Sequence, residues 1–376
     1  MTRSSGRPAA RTVVVGICAI AAAGLFASVA RQAWTTNAAS AEVVQTEING
    51  TLVLHPMTTL LSELVGAQSA AVRGERVTTD AVREALKELA VLNGESGDSL
   101  RIGQRLTDLT SQIESAFARA ETGRAAYETY SGLVSLAVEM IRRVGDSSHL
   151  IHDPDLDSYY LMDAAIIRLP DAVVYAGRAA DLVALAGGVA LTGEDQVRAA
   201  VARFGVAYDA ERVSAGLTTS VDFTARSELG TNVAERLDGF RAAADAFAPP
   251  TMLQELAGPV DAATMAANAR RVSAAANSLA HLLLHELEAL LDVRGRGLAQ
   301  QQRFTAVAGA AVALIGFALL WLAIAGRPRR RPTQRFGDIP VDDLDVGSMA
   351  AAREMVDADA MAHAGYGPRR GNGNAF

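Results

Sequence analysis

Apolar residues form two long stretches near the ends of the chain, at residues 12–30 and 305–325, and neither stretch contains a charged side chain. As helices that rise about 1.5 Å per residue, they would be roughly 28 and 32 Å long. These lengths match the hydrocarbon core of a bilayer, which is about 30 Å thick. The pattern therefore predicts two transmembrane helices, with Trp34 and Trp321 as interfacial anchors.

Charge predicts the orientation of these two helices. Residues 1–11 carry three arginines and no acid, arginines cluster again just after the second stretch, and the long segment between the stretches has an excess of acids. By the positive-inside rule, residues 1–11 and 326–376 are cytoplasmic and residues 31–304 are extracytoplasmic. We expect a two-pass protein of a bacterial cytoplasmic (inner) membrane, in contact with membrane lipids.

A cleaved signal peptide is the alternative interpretation of the first stretch. Arginines, an apolar run and the small residues Ser28-Val29-Ala30 fit that pattern as well. The apolar run is longer than signal peptides usually have, which favours retention.

Between the stretches, apolar residues recur at alternating steps of three and four, the spacing of helices that pack along a seam. The spacing holds from Leu106 to Val144, so we predict one helix from Leu100 to Gly145, roughly 69 Å long. It recurs in residues 272–293, and no proline interrupts residues 260–327. The last outer helix is therefore predicted to continue into the second apolar stretch. The fold class is all-α: a membrane-anchored long helical bundle, either one elongated bundle or two stacked ones, with two transmembrane helices.

Several shorter motifs predict where helices begin and end. Thr79-Asp80 predicts the start of a helix that ends near Leu92, because Asn93-Gly94 is a turn signal. Gly187-Gly188 predicts the end of another helix, and Thr192-Gly193-Glu194-Asp195 predicts the start of the next.

The most distinctive segment is DPDLDSYYLMD, from Asp153 to Asp163. It resembles a segment of the extracytoplasmic helical sensor regions of bacterial methyl-accepting receptors, sensor histidine kinases and diguanylate cyclases. The resemblance covers residues 40–300 and implies a sensor region that forms dimers. His149 and His152 depart from the pattern, which has Asn and an apolar residue there.

The same segment supplies the candidate ligand-binding residues. Asp153 is predicted to cap a helix with Pro154 in its first position, and a polar pocket beside this cap could bind a small ligand. The alternative is a purely structural cap. Arginines at the end of the preceding helix could hold an anion or simply interact with the helix dipole. The candidates are Asp153, Asp155, Asp157, Tyr159, Tyr160, Asp163, Arg142 and Arg143.

Metal and catalytic sites have weaker support in the sequence. His281 and His285, with Glu288 one turn further along, have a spacing that can chelate zinc or copper. No clear third ligand accompanies the two histidines, so we predict no metal site and no cofactor. No catalytic constellation is present either, and we expect no enzyme. The net charge of -7 argues against nucleic-acid binding.

The segment 326–376 is too short to bury a sizeable core, and we expect a largely disordered cytoplasmic tail. The sensor families named above place a coupling unit and an output domain after the second span. We therefore expect a sensor-like membrane protein without an output domain of its own, which signals through a partner protein. The alternative is a cell-envelope scaffold whose helical bundle mediates protein contacts.

Overall fold

The computed structural model describes residues 7–152, 156–224, 228–252 and 260–325. Every regular element in these residues is helical, which confirms the predicted all-α class. The α-helices are α1 (Arg7–Val72), α2 (Asp80–Leu100), α3 (Gly103–Arg119), α4 (Gly123–Ser147), α5 (Leu156–Met162), α6 (Leu169–Leu185), α7 (Gly193–Phe223), α8 (Leu229–Phe247) and α9 (Ala262–Ala325). A 3₁₀ turn spans Leu150–His152, and a π-helical turn at Asp163–Arg168 joins α5 to α6.

Some of the predicted segments lie outside this description. Residues 1–6 and the predicted tail 326–376 are among them, as are Asp153 and Asp155 of the distinctive segment. The side chains of residues 1–20, 23, 95–99, 152, 319, 320 and 322–325 are likewise not described. The described residues up to 323 belong to one compact unit, and the description below concerns that unit.

The buried apolar side chains form one contiguous cluster that extends along the chain from Val44 to Leu291. This contiguous core confirms the helical bundle that the sequence predicts. Within it, α1 packs against α2, α4 and α6, while α7 packs against α5, α6 and α8. Leucine, valine and alanine at helical spacing supply most of this core, as the seam pattern predicts.

Helices α1 and α9 run antiparallel to each other. Ser62 and Ser273 are hydrogen-bonded at 2.9 Å between their hydroxyl groups, and further along the pair His55 lies against His281. Beyond them, Val44 packs beside Gly295. The antiparallel register therefore brings the start of α1 and the end of α9 to the same end of the bundle.

The prediction of one helix from Leu100 to Gly145 is wrong. The chain leaves the α-helix at Arg101, turns again after Arg119, and re-enters at Gly123. Ala120 and Gly123 have left-handed backbone conformations, with φ of 49° and 60°. The turn occupies three residues, so the three-four spacing carries across it although the helix does not. Periodicity alone therefore could not reveal the break.

Helix α2 begins at Asp80 as predicted but does not end at Leu92. It continues through two glycines to Leu100, and Leu100 and Ile102 are both fully buried. A glycine inside a helix costs only about 1 kcal/mol relative to alanine, which burial of two large apolar side chains outweighs. The turn signal at Asn93-Gly94 was overridden by packing.

Other helix boundaries agree with the sequence. Helix α6 ends at Leu185, and Gly187 and Gly188 both adopt positive φ in the turn that follows. Helix α7 begins at Gly193, within the predicted start signal. Helix α9 is continuous from Ala262 to Ala325, so the predicted passage from the bundle into the last apolar stretch is confirmed as one helix.

Among the helices of the described residues, none combines the length with the apolar character that crossing a membrane requires.

Candidate functional site

A cluster of titratable side chains lies between α1 and α9. Helix α9 carries His281, His285 and Glu288 at steps of four and three, which places all three on one side of the helix. Helix α1 contributes His55 from the opposite side. These four residues form what we call the His–Glu cluster.

The distances within the His–Glu cluster are short. His55 Nε2 lies 3.2 Å from Glu288 Oε1, and His285 Nδ1 lies 3.3 Å from Glu288 Oε2. The ring of His55 stacks on that of His281, with centroids 5.1 Å apart, and its centroid is 4.5 Å from that of His285. One ligand atom from each of His55, His285 and Glu288 can be chosen so that all lie within 4.8 Å of one another.

Hydrogen bonds indicate which ring nitrogens of the cluster carry protons. The Thr59 hydroxyl donates to the His55 backbone carbonyl at 3.3 Å, so it accepts from His281 Nε2 at 3.1 Å. His281 Nδ1 is then an acceptor, and His55 Nδ1 donates to it at 2.9 Å. In this assignment His55 Nε2 carries a lone pair and no proton.

That lone pair faces a carboxylate oxygen. His55 Nε2 and Glu288 Oε1 are both buried, and neither makes a hydrogen bond although they are in contact. Two acceptors 3.2 Å apart repel each other unless a cation lies between them. The arrangement therefore suits a proton or a metal ion.

The charge states favour a cation at this place. Burial raises the pKa of Glu288, but protons on His55 and His285 that face the carboxylate outweigh burial, and the pKa lies below its ordinary value. Burial lowers the pKa of His281, and His55 and His285 lower it further. At neutral pH the cluster thus combines an ionised carboxylate with a neutral imidazole.

A separate cavity of about 450 Å³ opens between α1, α6 and α9. Its polar lining includes Arg73, Arg270, Glu63 and Asn277. The Oδ1 atom of Asn277 is buried there without a hydrogen-bond partner among the protein atoms. The cavity can therefore accept a small polar molecule that contacts α1 and α9 at once.

Two of the residues predicted to bind a ligand, Asp157 and Asp163, are engaged in contacts with other side chains and backbone of the protein. Asp157 lies 3.6 Å from Arg294 of α9, and its backbone carbonyl accepts a 2.7 Å hydrogen bond from Ser220 of α7. Asp163 lies 3.2 Å from Arg168. These are the contacts expected of the structural alternative, and ligand binding by these side chains stays a prediction.

The other residues predicted to bind a ligand differ in what they contact. The ring of Tyr159 packs edge-on against that of Tyr160 at 5.2 Å. Arg142 donates to Asp171 at 2.7 and 2.8 Å, and Arg143 is exposed. Arg142 is therefore hydrogen-bonded to α6. Asp157 is instead hydrogen-bonded to α7 and forms an ion pair with α9.

Sequence reasoning missed His55 and the lining of the cavity. His55 lies in a plain apolar run of α1, and 226 residues separate it from His281. Its only signal was a lone histidine directly before Pro56. The absence of a third ligand near His281 and His285 in sequence was therefore no guide to their surroundings in space.

Comparison with models of known protein families, with curated proteins and with solved structures found no match for this chain.

Proposed function

We propose that this chain is a two-pass membrane protein whose helical bundle, residues 31–304, senses a small molecule outside the cytoplasmic membrane and passes its state to a partner protein. The observation that carries the proposal is the continuity of α1 and α9. Each extends as one helix from the centre of the buried core to an apolar segment at the same end of the bundle. Both termini would then be cytoplasmic, with residues 1–11 and 326–376 on that side.

Exposed apolar side chains support membrane anchoring. Leu25 and Val29 of α1 are 70% and 63% exposed, and Leu314 and Phe317 of α9 are 70% and 68% exposed. Large apolar side chains gathered at one end of a protein indicate contact with lipid or with another protein. Two spans at 12–30 and 305–325 would give these side chains a lipid environment.

The cavity supports a sensory role. It lies between the two helices that lead to the apolar ends, so an occupant would favour one relative position of α1 and α9 over another. Arg270 suits a carboxylate, whereas Arg73 already donates to both carboxylate oxygens of Glu75 at 2.8 Å. The unpartnered Asn277 Oδ1 suits a donor group. A small carboxylate that also carries an amino or hydroxyl group therefore fits this lining.

Two reporter fusions test the topology, one after residue 200 and one at the C-terminus. We expect a reporter that is active only outside the cytoplasm to work at residue 200 and to fail at the C-terminus. Activity at the C-terminus would overturn the two-pass arrangement.

A thermal-shift screen of the full-length protein in detergent tests the ligand site, with amino acids and small hydroxy acids as the panel. We expect at least one compound to raise the melting temperature of the wild type and of Arg271→Ala, but not of Arg270→Ala. Both arginines are exposed neighbours, but only Arg270 lines the cavity. No shift with any compound, or an equal shift in Arg270→Ala, would contradict the proposed site.

A second candidate function, a scaffold that assembles through its bundle, is favoured by one surface. Helix α7 exposes an apolar stripe at steps of four, three and four, formed by Val197, Val201, Phe204 and Tyr208. That spacing is the seam of a helix pair, so a second copy of this chain presenting the same stripe would cover it. The homodimer expected from the sequence would use this face.

The oligomeric state tests whether the stripe on α7 assembles the protein, which the scaffold requires. If the stripe drives assembly, Phe204→Glu should convert a dimer into a monomer in light scattering, while Glu211→Gln on the same helix should leave it unchanged. A protein that is monomeric at all concentrations would exclude the scaffold and leave the sensor untouched.

A further inference from the structure

We propose that His55, His285 and Glu288 form a binding site for a divalent cation of the zinc class, which joins α1 to α9. The site needs only the packing of these two helices. The inference therefore does not rest on the proposed function, although a metal here would act on the same two helices.

The spacing of the donor atoms suits one metal ion. Zinc binds histidine nitrogen and carboxylate oxygen at about 2.0–2.2 Å in a tetrahedral arrangement, which places neighbouring ligands about 3.3 Å apart. The observed separations are 3.2 Å between His55 Nε2 and Glu288 Oε1 and 3.3 Å between His285 Nδ1 and Glu288 Oε2. The two distances involve different oxygens of Glu288, and one donor atom from each of the three residues can be chosen so that all lie within 4.8 Å of one another. A small adjustment of these side chains would bring them to the distances that a shared metal requires.

The unsatisfied atoms point to the same place. His55 Nε2 and Glu288 Oε1 are buried, in contact, and without hydrogen bonds. Buried polar atoms in folded proteins nearly always have partners, and a buried unpartnered pair calls for an explanation. A cation between the two atoms satisfies both lone pairs at once.

A chain of hydrogen bonds through His281 to Thr59 holds the ring of His55 in place. Histidines that bind metals usually donate from their second ring nitrogen to a neighbouring group, which sets the tautomer. His55 has this arrangement, because its Nδ1 donates to His281 at 2.9 Å and His281 is fixed in turn by Thr59 at 3.1 Å. We therefore assign His281 to positioning and not to ligation.

Access and selectivity follow from the surroundings. The side chain of His285 is 68% exposed, whereas those of His55 and Glu288 are 16% and 22% exposed, so a cation can enter from solvent on the His285 side. Two imidazoles and one carboxylate suit zinc, copper or nickel and disfavour calcium and magnesium, which prefer oxygen ligands. Three protein ligands leave the fourth zinc position to water.

The experiment uses the full-length protein without a histidine tag, purified in detergent, stripped with a chelator and dialysed against zinc. We expect one zinc per chain by elemental analysis, and the intense visible spectrum of tetrahedral cobalt when cobalt replaces zinc. His285→Gln and Glu288→Gln should each weaken zinc binding at least tenfold in competition with a chelating dye.

His149→Asn is the matched control. His149 is an exposed histidine outside the cluster with a φ of 68°, a conformation that asparagine also adopts readily. We expect this variant to bind zinc like the wild type. Absence of zinc uptake by the wild type, uptake that survives both cluster substitutions, or equal loss in His149→Asn would overturn the proposal.

Discussion

Two faces of α1 hold buried or half-buried carboxylates in opposite ways. On the α6 side, Asp181 accepts hydrogen bonds from Gln68 and Ser69, both at 2.7 Å, so each carboxylate oxygen has a donor. On the α9 side, Glu288 Oε1 faces the lone pair of His55 Nε2 and has no donor. The Asp181 carboxylate is complete without any ligand, although Gln68 Oε1 beside it has no partner among the protein atoms, while the Glu288 carboxylate is completed by a cation.

This difference separates structural polar groups from candidate functional ones. A buried polar group that finds its partners within the fold adds specificity to packing and needs nothing else. A buried group left without a partner costs free energy, and proteins keep such groups where a ligand supplies what is missing. The comparison predicts that substitutions on the α6 face reduce stability, and that substitutions in the His–Glu cluster change binding.

The largest effect is expected from Asp181→Ala. The substitution leaves the Gln68 amide and the Ser69 hydroxyl without their acceptor and opens a small void, so the free energy of unfolding should fall by about 3 kcal/mol. Urea unfolding followed by circular dichroism measures it. Asp181→Asn is the matched control and should cost under about 1 kcal/mol, because the Gln68 amide can turn its carbonyl toward the new amide. An equal loss of unfolding free energy in Asp181→Ala and Asp181→Asn would contradict the comparison between the two faces of α1.

A second large effect is expected where α6 approaches α1 most closely. A Cβ on Gly177 would lie 2.4 Å from Val65 Cγ1, so Gly177→Ala should lower the free energy of unfolding by about 2 kcal/mol. Gly66 is the control, since nothing lies within 4 Å of a Cβ there. Gly66→Ala should raise the free energy of unfolding by about 0.5–1 kcal/mol, because alanine favours the helix. If Gly66→Ala also destabilised the protein, the loss in Gly177→Ala could not be attributed to the close contact between α6 and Val65 of α1.

An intermediate case is Asp209 of α7, which has one buried oxygen without a partner and Arg168 3.5 Å from the other. Burial, aided by Asp171, raises the pKa of Asp209 to about 7 despite Arg168. The folded state therefore binds this proton more tightly than the unfolded state, and stability falls as pH rises from about 4 to about 7. Asp209→Asn should be more stable than the wild type at pH 8 by about 1 kcal/mol, with the difference vanishing near pH 4.

Melting temperatures between pH 4 and pH 8 measure the effect of Asp209→Asn. The control is Asp245→Asn, an exposed acid on α8. We expect that variant to track the wild type across the range. A difference between Asp209→Asn and the wild type that grows toward low pH would show that the sign is wrong.

The smallest effect on stability is expected from Glu288→Gln in metal-free protein. The side chain is 22% exposed, and its one hydrogen-bond donor, His285 Nδ1 at 3.3 Å, belongs to an exposed ring that can donate to the glutamine carbonyl or to water. The free energy of unfolding should therefore change by less than about 0.5 kcal/mol. Urea unfolding in the presence of a chelator measures it. A loss of unfolding free energy as large as that of Asp181→Ala would indicate that the His–Glu cluster stabilises the fold in the same way as Asp181, and would contradict the comparison between the two faces.

How far the sequence predicts this molecule depends on which interactions are local. The helical class and the continuity of α9 follow from periodicity and the absence of proline, which are properties of neighbouring residues. The break at Ala120 did not follow, because a three-residue turn preserves the three-four spacing. The length of α2 did not follow either, since burial of Leu100 and Ile102 overrides a local turn signal.

The site residues show the same limit. His281, His285 and Glu288 could be recognised as a possible chelating group because the helix brings residues four and three apart to one side. The fourth member of the cluster could not be recognised, because His55 is joined to them only by the antiparallel packing of α1 and α9. The cavity beside them is likewise made from side chains of three helices that are distant in the chain.

By itself, the sequence determined that the chain is helical, where its apolar stretches lie, and that α9 runs on into the second of them. Only the tertiary structure decided which polar side chains meet, because that depends on the register between helices. Register is set by many small apolar contacts summed over the core, and no single segment of sequence contains them.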